Sequence, residues 1–227
     1  MARFDAVAAR YDRFCETPLG RYVDEVERSL LEALMQVRPG ERWIDLGTGT
    51  GSYALSLAHH GAEVVAVDES AAMLQIAQAK RGAQDPIALV QADLERLPFP
   101  DARFDGGVMQ VVLEFVADPL AALREARRVI RPQGRLVIGL IHASGPWAAY
   151  YRKRAGREPD SVWRHARFWT LPELILAMGK APTEVRAGLF VAPAGFSSPE
   201  QALREEALRA RRGEWEEAGF LAVRFDL

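Results

Sequence analysis

The sequence predicts an α/β fold with a mostly parallel sheet, and three observations carry that expectation. Short apolar runs recur at Trp43–Leu46, Val64–Val67, Ile87–Val90, Phe104–Val112 and Leu136–Ile141. Segments with apolar residues three or four apart separate them, which is the alternation of a parallel α/β sheet. The first run stops at three alternating glycines, Gly47, Gly49 and Gly51, after which Tyr53, Ala54, Leu57 and Ala58 repeat at helical spacing. Trp43 to Asp68 therefore reads as one βαβ unit with a right-handed crossover.

The glycine turn has a physical purpose. Missing side chains permit positive φ and let a ligand lie against the backbone, while the following helix presents unpaired N–H groups. Asp68 ends the second strand, where a carboxylate accepts hydrogen bonds from a ribose diol. A nucleotide-like ligand fits. A dinucleotide fingerprint G-x-G-x-x-G begun at Gly47 needs glycine at position 52, where Ser52 stands instead.

With Asp45 before it, Ile44-Asp45-Leu46-Gly47-Thr48-Gly49-Thr50-Gly51 resembles the nucleotide loop of the class I S-adenosyl-L-methionine-dependent methyltransferases. That family commonly has Cys or a small residue where Thr48 stands, a departure that leaves the glycine geometry intact. The resemblance implies that Asp45, Gly47, Thr48, Gly49 and Gly51 form the cofactor loop and that Asp68 and Glu69 lie at the ribose. It also places Met73 against the adenine ring. Asp93, after the third strand, stands where it can accept from the adenine amino group, with the Leu94 N–H beside it. Gln110, at the end of the fourth strand, is expected to touch the methionine part or the substrate.

Phe4-Asp5-Ala6-Val7-Ala8-Ala9-Arg10-Tyr11-Asp12 resembles the opening segment of the ubiquinone and menaquinone biosynthesis branch, where it forms a flap over the cofactor. This implies a contact from Tyr11 to the methionine part and one from Arg10 or Arg21 to its carboxylate. The whole stretch 1–39 is expected to be a helical flap region, its amphipathic spacing also fitting helices packed on the sheet.

Composition sets the bounds. At 227 residues, 49% hydrophobic, the chain suits one domain. A net charge of −2 and a pI near 6.1 leave no global basic footprint, so a nucleic-acid partner is not expected. Cys15 is the one cysteine, no signal-peptide core opens the sequence and no run approaches 18 apolar residues, so a cytoplasmic protein outside the membrane is expected.

The remaining elements follow in order. Ser70 caps a helix over Ala71–Lys80, and Asp118-Pro119 opens another whose arginines, Arg124, Arg127, Arg128 and Arg131, read as a solvated face stopped by Pro132-Gln133-Gly134. His142 stands at the end of the fifth strand. The segment 146–167 mixes aromatics with arginines and is expected to be a helical insertion walling the acceptor pocket and favouring an anionic or aromatic acceptor. Thr170 caps the next helix, Ser198-Pro199 opens one reaching about Arg212, and Thr183–Val191 and Phe220–Leu227 are the last strands.

By resemblance the sheet is Rossmann-like and doubly wound, with seven strands in the order 3-2-1-4-5-7-6, the last antiparallel and helices on both faces. The implied reaction passes a methyl group from S-adenosyl-L-methionine to a small-molecule acceptor, leaving S-adenosyl-L-homocysteine. Gln110, His142 and Glu114 are the candidates for a catalytic role, Glu114 being read as the only carboxylate near this rim and as an exposed cap. His59, His60 and His165 have no acidic or cysteine neighbours at ligand spacing, so no metal is expected. Two other classes remain open: a nucleotide-dependent oxidoreductase, against which Ser52 and Asp93 count, and a non-catalytic S-adenosylmethionine-binding module.

Overall fold

The computed structural model describes residues 4–213 and 215–227. In chain order the elements are α1 (Ala8–Tyr11), α2 (Arg13–Glu16), α3 (Pro18–Met35), β1 (Arg42–Leu46), α4 (Ser52–His59), β2 (Glu63–Asp68), α5 (Ala71–Lys80) and β3 (Ile87–Gln91). There follow β4 (Phe104–Gln110), α6 (Pro119–Val129), β5 (Ile130–Ile141), α7 (Pro146–Arg157), α8 (Leu171–Met178), β6 (Glu184–Gly188), α9 (Pro199–Arg212) and β7 (Phe220–Asp226).

The strands form one sheet in the order β3-β2-β1-β4-β5-β7-β6. The first five run parallel, and β7 is antiparallel to both neighbours. The expected order is therefore the observed one. Alternation along each strand sends neighbours to opposite faces: Trp43 joins one apolar layer and Ile44 the other, as do Val137 and Ile138. Trp43 fits only because Gly106 faces it; a Cβ there would stand 2.6 Å from the indole.

Helix α3 belongs to the first layer. Its spacing places Tyr22, Val26, Leu31 and Leu34 on one buried face, and it packs on β5, β6, β7 and α9. Among the described residues of the stretch 1–39, both the part before α3 and the α3 residues Gly20, Val23, Asp24 and Glu27 reach the cavity at the carboxyl ends of the strands.

Local signals start several helices where expected. Ser70 Oγ accepts from Met73 N at 3.1 Å, Asp118 Oδ1 from Ala121 N at 3.0 Å, and Thr170 with Glu173 forms a capping box. Helix α6 stops earlier than Pro132-Gln133-Gly134 suggests. It ends at Val129 because Pro132 disfavours helical backbone in the residue before it, and Ile130 already pairs with Phe104. No helix among the described residues is long and apolar enough to cross a membrane.

Candidate functional site

The register fixes the location of the site. Leu46 pairs with Val67, Asp68 with Gln91 and Gln110 with Gly139, so β1, β2 and β4 end along one edge, beside the switch in strand order between β1 and β4. A cavity of about 1260 Å³ opens there. Its lining runs from Gly47, Thr48 and Gly49 past Asp68, Glu69 and Met73 to Asp93 and Leu94, then to Gln110. The sequence expectation thus brings these residues to one surface, together with Tyr11.

The loop is held from both sides. Gly47, Gly49 and Gly51 have φ of 77°, 53° and 86°, a region that favours glycine. Asp68 Oδ2 accepts from Gly49 N at 2.8 Å and Oδ1 from Ser70 N at 2.9 Å, while burial raises its pKa against the pull of these N–H groups. At Gly49 an added Cβ would meet nothing within 4 Å, so open space lies in front of the loop.

Two members of the expected set do not line this cavity. Asp45 lies behind the loop, where it accepts from Thr48 Oγ1 at 2.6 Å, and burial pushes its carboxyl up to about 7. Gly51 faces α5: a Cβ there would come within 3.0 Å of Ala77 Cβ. Both shape the turn from behind, Asp45 by its hydrogen bond from Thr48 and Gly51 by leaving room for Ala77. Arg21, at the surface, donates to the Glu16 carbonyl at 3.0 Å and is likewise absent from the lining. The side chain of Arg10 lies outside the described ones.

The three catalytic candidates separate. Gln110 lines the cavity and donates to Glu27 Oε2 at 2.6 Å. His142 does not line it: it is buried, its Nδ1 lies 3.2 Å from the Ala218 carbonyl, and burial lowers its pKa. The turn after β5 directs it toward the β7 side. Glu114 is 1% exposed, so the expected exposed cap is overturned. Its Oε1 accepts from Ile141 N at 2.8 Å, Oε2 has no partner, and burial pushes the carboxyl up to about 8. It ties the segment after β4 to the end of β5 and is not among the lining residues.

Nor is Glu114 the only carboxylate at this rim. Glu27, from the middle of α3, lines the cavity beside Gln110. Its helical spacing marks it as a buried position within the stripe of Val23 and Leu31, a signal readable in the sequence as a charge on an apolar face.

The N-terminal part forms a lip. Asp12 Oδ1 accepts from Thr50 Oγ1 at 2.7 Å, and Asp5 Oδ1 accepts from Ser70 Oγ at 2.6 Å. Rings then connect this lip to the α7 side: Phe4 meets Phe115 at 5.0 Å, Phe115 meets Trp163 at 5.3 Å, and Trp163 stacks on Tyr151 at 3.8 Å. Just after Gln110, Val111 has φ of 51°, a strained conformation for a β-branched residue, and its N–H bonds the Gly139 carbonyl at 2.8 Å.

Residues 44–138 match the model of a methyltransferase domain. A demethylmenaquinone methyltransferase of Mycobacterium marinum is 32% identical over 222 residues, 98% of this chain and 85% of that one. The chain belongs to the class I S-adenosylmethionine-dependent methyltransferase family. Within it, the branch is that of the menaquinone and ubiquinone type. A demethylmenaquinone methyltransferase of Beutenbergia cavernae is 41% identical over 148 residues, which are 65% of this chain and 59% of that relative. The chain thus spans little more than half the length of the relatives with the strongest local identity. A solved S-adenosylmethionine-dependent methyltransferase from Thermotoga maritima superposes with a TM-score of 0.73 at 24% identity, covering 98% of this chain and 97% of that one. The methyltransferase fold is shared with that structure.

Proposed function

We propose that the chain transfers a methyl group from S-adenosyl-L-methionine to a small aromatic acceptor of the quinone type. The carrying observation is the unbroken lining from the glycine loop, along the ends of β2, β3 and β4, to an aromatic wall. Its volume exceeds what one drug-sized ligand needs, about 300–1000 Å³, and leaves room for an acceptor beside a nucleoside.

The residues fit this donor. Gly47, Thr48 and Gly49 line the cavity, with open space in front of Gly49, Asp68 and Glu69 suit the ribose, Met73, Asp93 and Leu94 the adenine, and Tyr11 with Gln110 the methionine part. Asp68 retains acceptor capacity, since each carboxylate oxygen takes more than one hydrogen bond. Asp45 and Gly51 act indirectly, by holding the turn. S-adenosylmethionine supplies a methyl group already activated by its sulfonium charge. The protein's task is then to hold acceptor and methyl carbon in line, which accounts for much of the rate in such reactions.

A quinone-type acceptor is favoured by the names of the relatives and by the rings of Phe4, Phe115, Trp163 and Tyr151. An anionic acceptor is not favoured. Nine carboxylates and three arginines stand among the described lining residues, and Glu158 holds Arg154. The cytoplasmic setting expected from the sequence is part of this reading.

Calorimetric titration with S-adenosyl-L-homocysteine and, separately, with a nicotinamide dinucleotide tests it. Micromolar binding of the first alone is expected, weakened in Asp68→Ala by about 1–3 kcal/mol. Binding of the dinucleotide alone would overturn the assignment.

A further inference from the structure

Reading the cavity as a methyl-transfer site leaves Glu27 without a task, and its surroundings define one. Glu27 is 7% exposed and lines the cavity. Gln110 Nε2 holds its Oε2 at 2.6 Å, whereas no described residue donates to Oε1. Oε1 is not among the buried orphan atoms, so it opens to the cavity.

The titratable groups facing Glu27 are Asp24 on its own helix, Tyr11 and Cys15 from the lip, Tyr53 on α4, Glu114 after β4 and Tyr151 on α7. All are acids. Burial first, then the charge of Asp24, raises the carboxyl to about 8 against the hydrogen bond from Gln110. A carboxylate in such a place is a stronger base than one in water. Beyond it, Phe115, Trp163 and Tyr151 line the same cavity as an aromatic cluster, Phe115 lying 5.3 Å from Trp163 and Trp163 stacked on Tyr151 at 3.8 Å.

We propose that Glu27 is the general base of the site, its Oε1 taking the proton from a hydroxyl carried by a flat aromatic acceptor. The proposal rests on the methyl-transfer reading above, whose quinone-type acceptor it takes in the hydroxylated, reduced form. A phenolic hydroxyl makes its ring a good nucleophile only once the proton is leaving. As the O–H proton passes to Oε1, the oxygen pair moves into the ring and the adjacent ring carbon bonds the methyl carbon. The methyl carbon–sulfur bond breaks with its pair on sulfur. Glu27 then returns its proton to the oxygen as the ring C–H proton leaves to water, which restores the aromatic ring. An acceptor already anionic would need no base and would be repelled by Glu27 and Asp24.

The test uses the full chain, S-adenosylmethionine and 1,4-dihydroxynaphthalene without oxygen, comparing wild type, Glu27→Gln and Glu27→Asp. In Glu27→Gln the turnover rate should fall about a hundredfold or more, with S-adenosylhomocysteine affinity held within about threefold. The wild-type rate should rise with pH through about 8, and Glu27→Gln should lose that limb. Glu27→Asp should restore part of the rate and keep the limb. A Glu27→Gln rate within about threefold of wild type, or a limb that persists in it, overturns the proposal. If Glu27→Gln does not fold, Glu27→Asp decides: a rate reduced about tenfold with the limb kept supports the base, and an unchanged rate overturns it. A wild type that binds S-adenosylhomocysteine but does not methylate this ring overturns the hydroxylated acceptor and the inference with it. Failure to bind S-adenosylhomocysteine overturns the underlying reading instead.

Discussion

Asp12 joins three parts of the chain: its Oδ1 accepts from Thr50 Oγ1 at 2.7 Å, and its Oδ2 meets Lys80 Nζ at 2.6 Å. The lip is thereby latched to the glycine loop and to the last turn of α5. Asp12→Ala removes both contacts, and a lost hydrogen bond of this kind costs about 1 kcal/mol. S-adenosylhomocysteine should then leave about three to ten times faster in stopped-flow displacement, with little change in melting temperature. An unchanged off-rate would show that the lip does not cover the ligand.

The glycines of the loop should separate by role. Gly47 combines φ of 77° with a Cβ position 2.5 Å from Val112 Cγ2, so Gly47→Ala should lower stability by about 1–3 kcal/mol, read by denaturant unfolding. At Gly49 the added methyl enters open space. Gly49→Ala should cost less stability yet weaken S-adenosylhomocysteine binding about tenfold or more. Equal effects of the two changes on binding would contradict the placement.

Glu114 makes stability depend on pH in a definite direction. Its folded-state pKa, about 8, lies above the ordinary 4.5. The folded state therefore holds a proton that the unfolded chain releases, and the contribution is complete below about 4.5 and lost as pH rises through 8. Of order a few kcal/mol are involved. Glu114→Gln keeps an acceptor for Ile141 N and removes the ionisation. Thermal melts from pH 5 to 9 should show a shallower decline for this variant than for wild type; parallel curves would refute the buried neutral acid.

The α7 side makes opposite demands on its aromatic and basic residues. Trp163→Ala removes the stack on Tyr151 and should raise the KM for 1,4-dihydroxynaphthalene about five- to tenfold, by loss of about 1 kcal/mol of ring contact. Replacing Arg152, Lys153 and Arg154 together by Ala should leave that KM within about twofold. Arg152 lies 5.0 Å over the Phe168 ring and donates to the Ala143 carbonyl, and Arg154 is held by Glu158. A large rise in the triple variant would restore an anionic acceptor.

The sequence by itself determined the strand pattern, the glycine loop and the acids that close β2 and β3, because these depend on local features: apolar period, positive φ and the residue at a strand's end. Helix caps at Ser70, Asp118, Thr170 and Ser198 were legible for the same reason. Only the tertiary structure decided which side chains share the cavity. Glu27 and Gln110 stand 83 positions apart and meet because α3 packs across the sheet, a contact that no local spacing records. Glu114 and His142 sit at rims where a short turn decides between cavity and interior, and in both cases a backbone group distant in sequence holds the side chain, the Ile141 N–H at the end of β5 for Glu114 and the Ala218 carbonyl just before β7 for His142. Asp45 is the mirror case: its motif position was readable, but its direction, behind the loop, is fixed by the hydrogen bond that it accepts from Thr48 Oγ1.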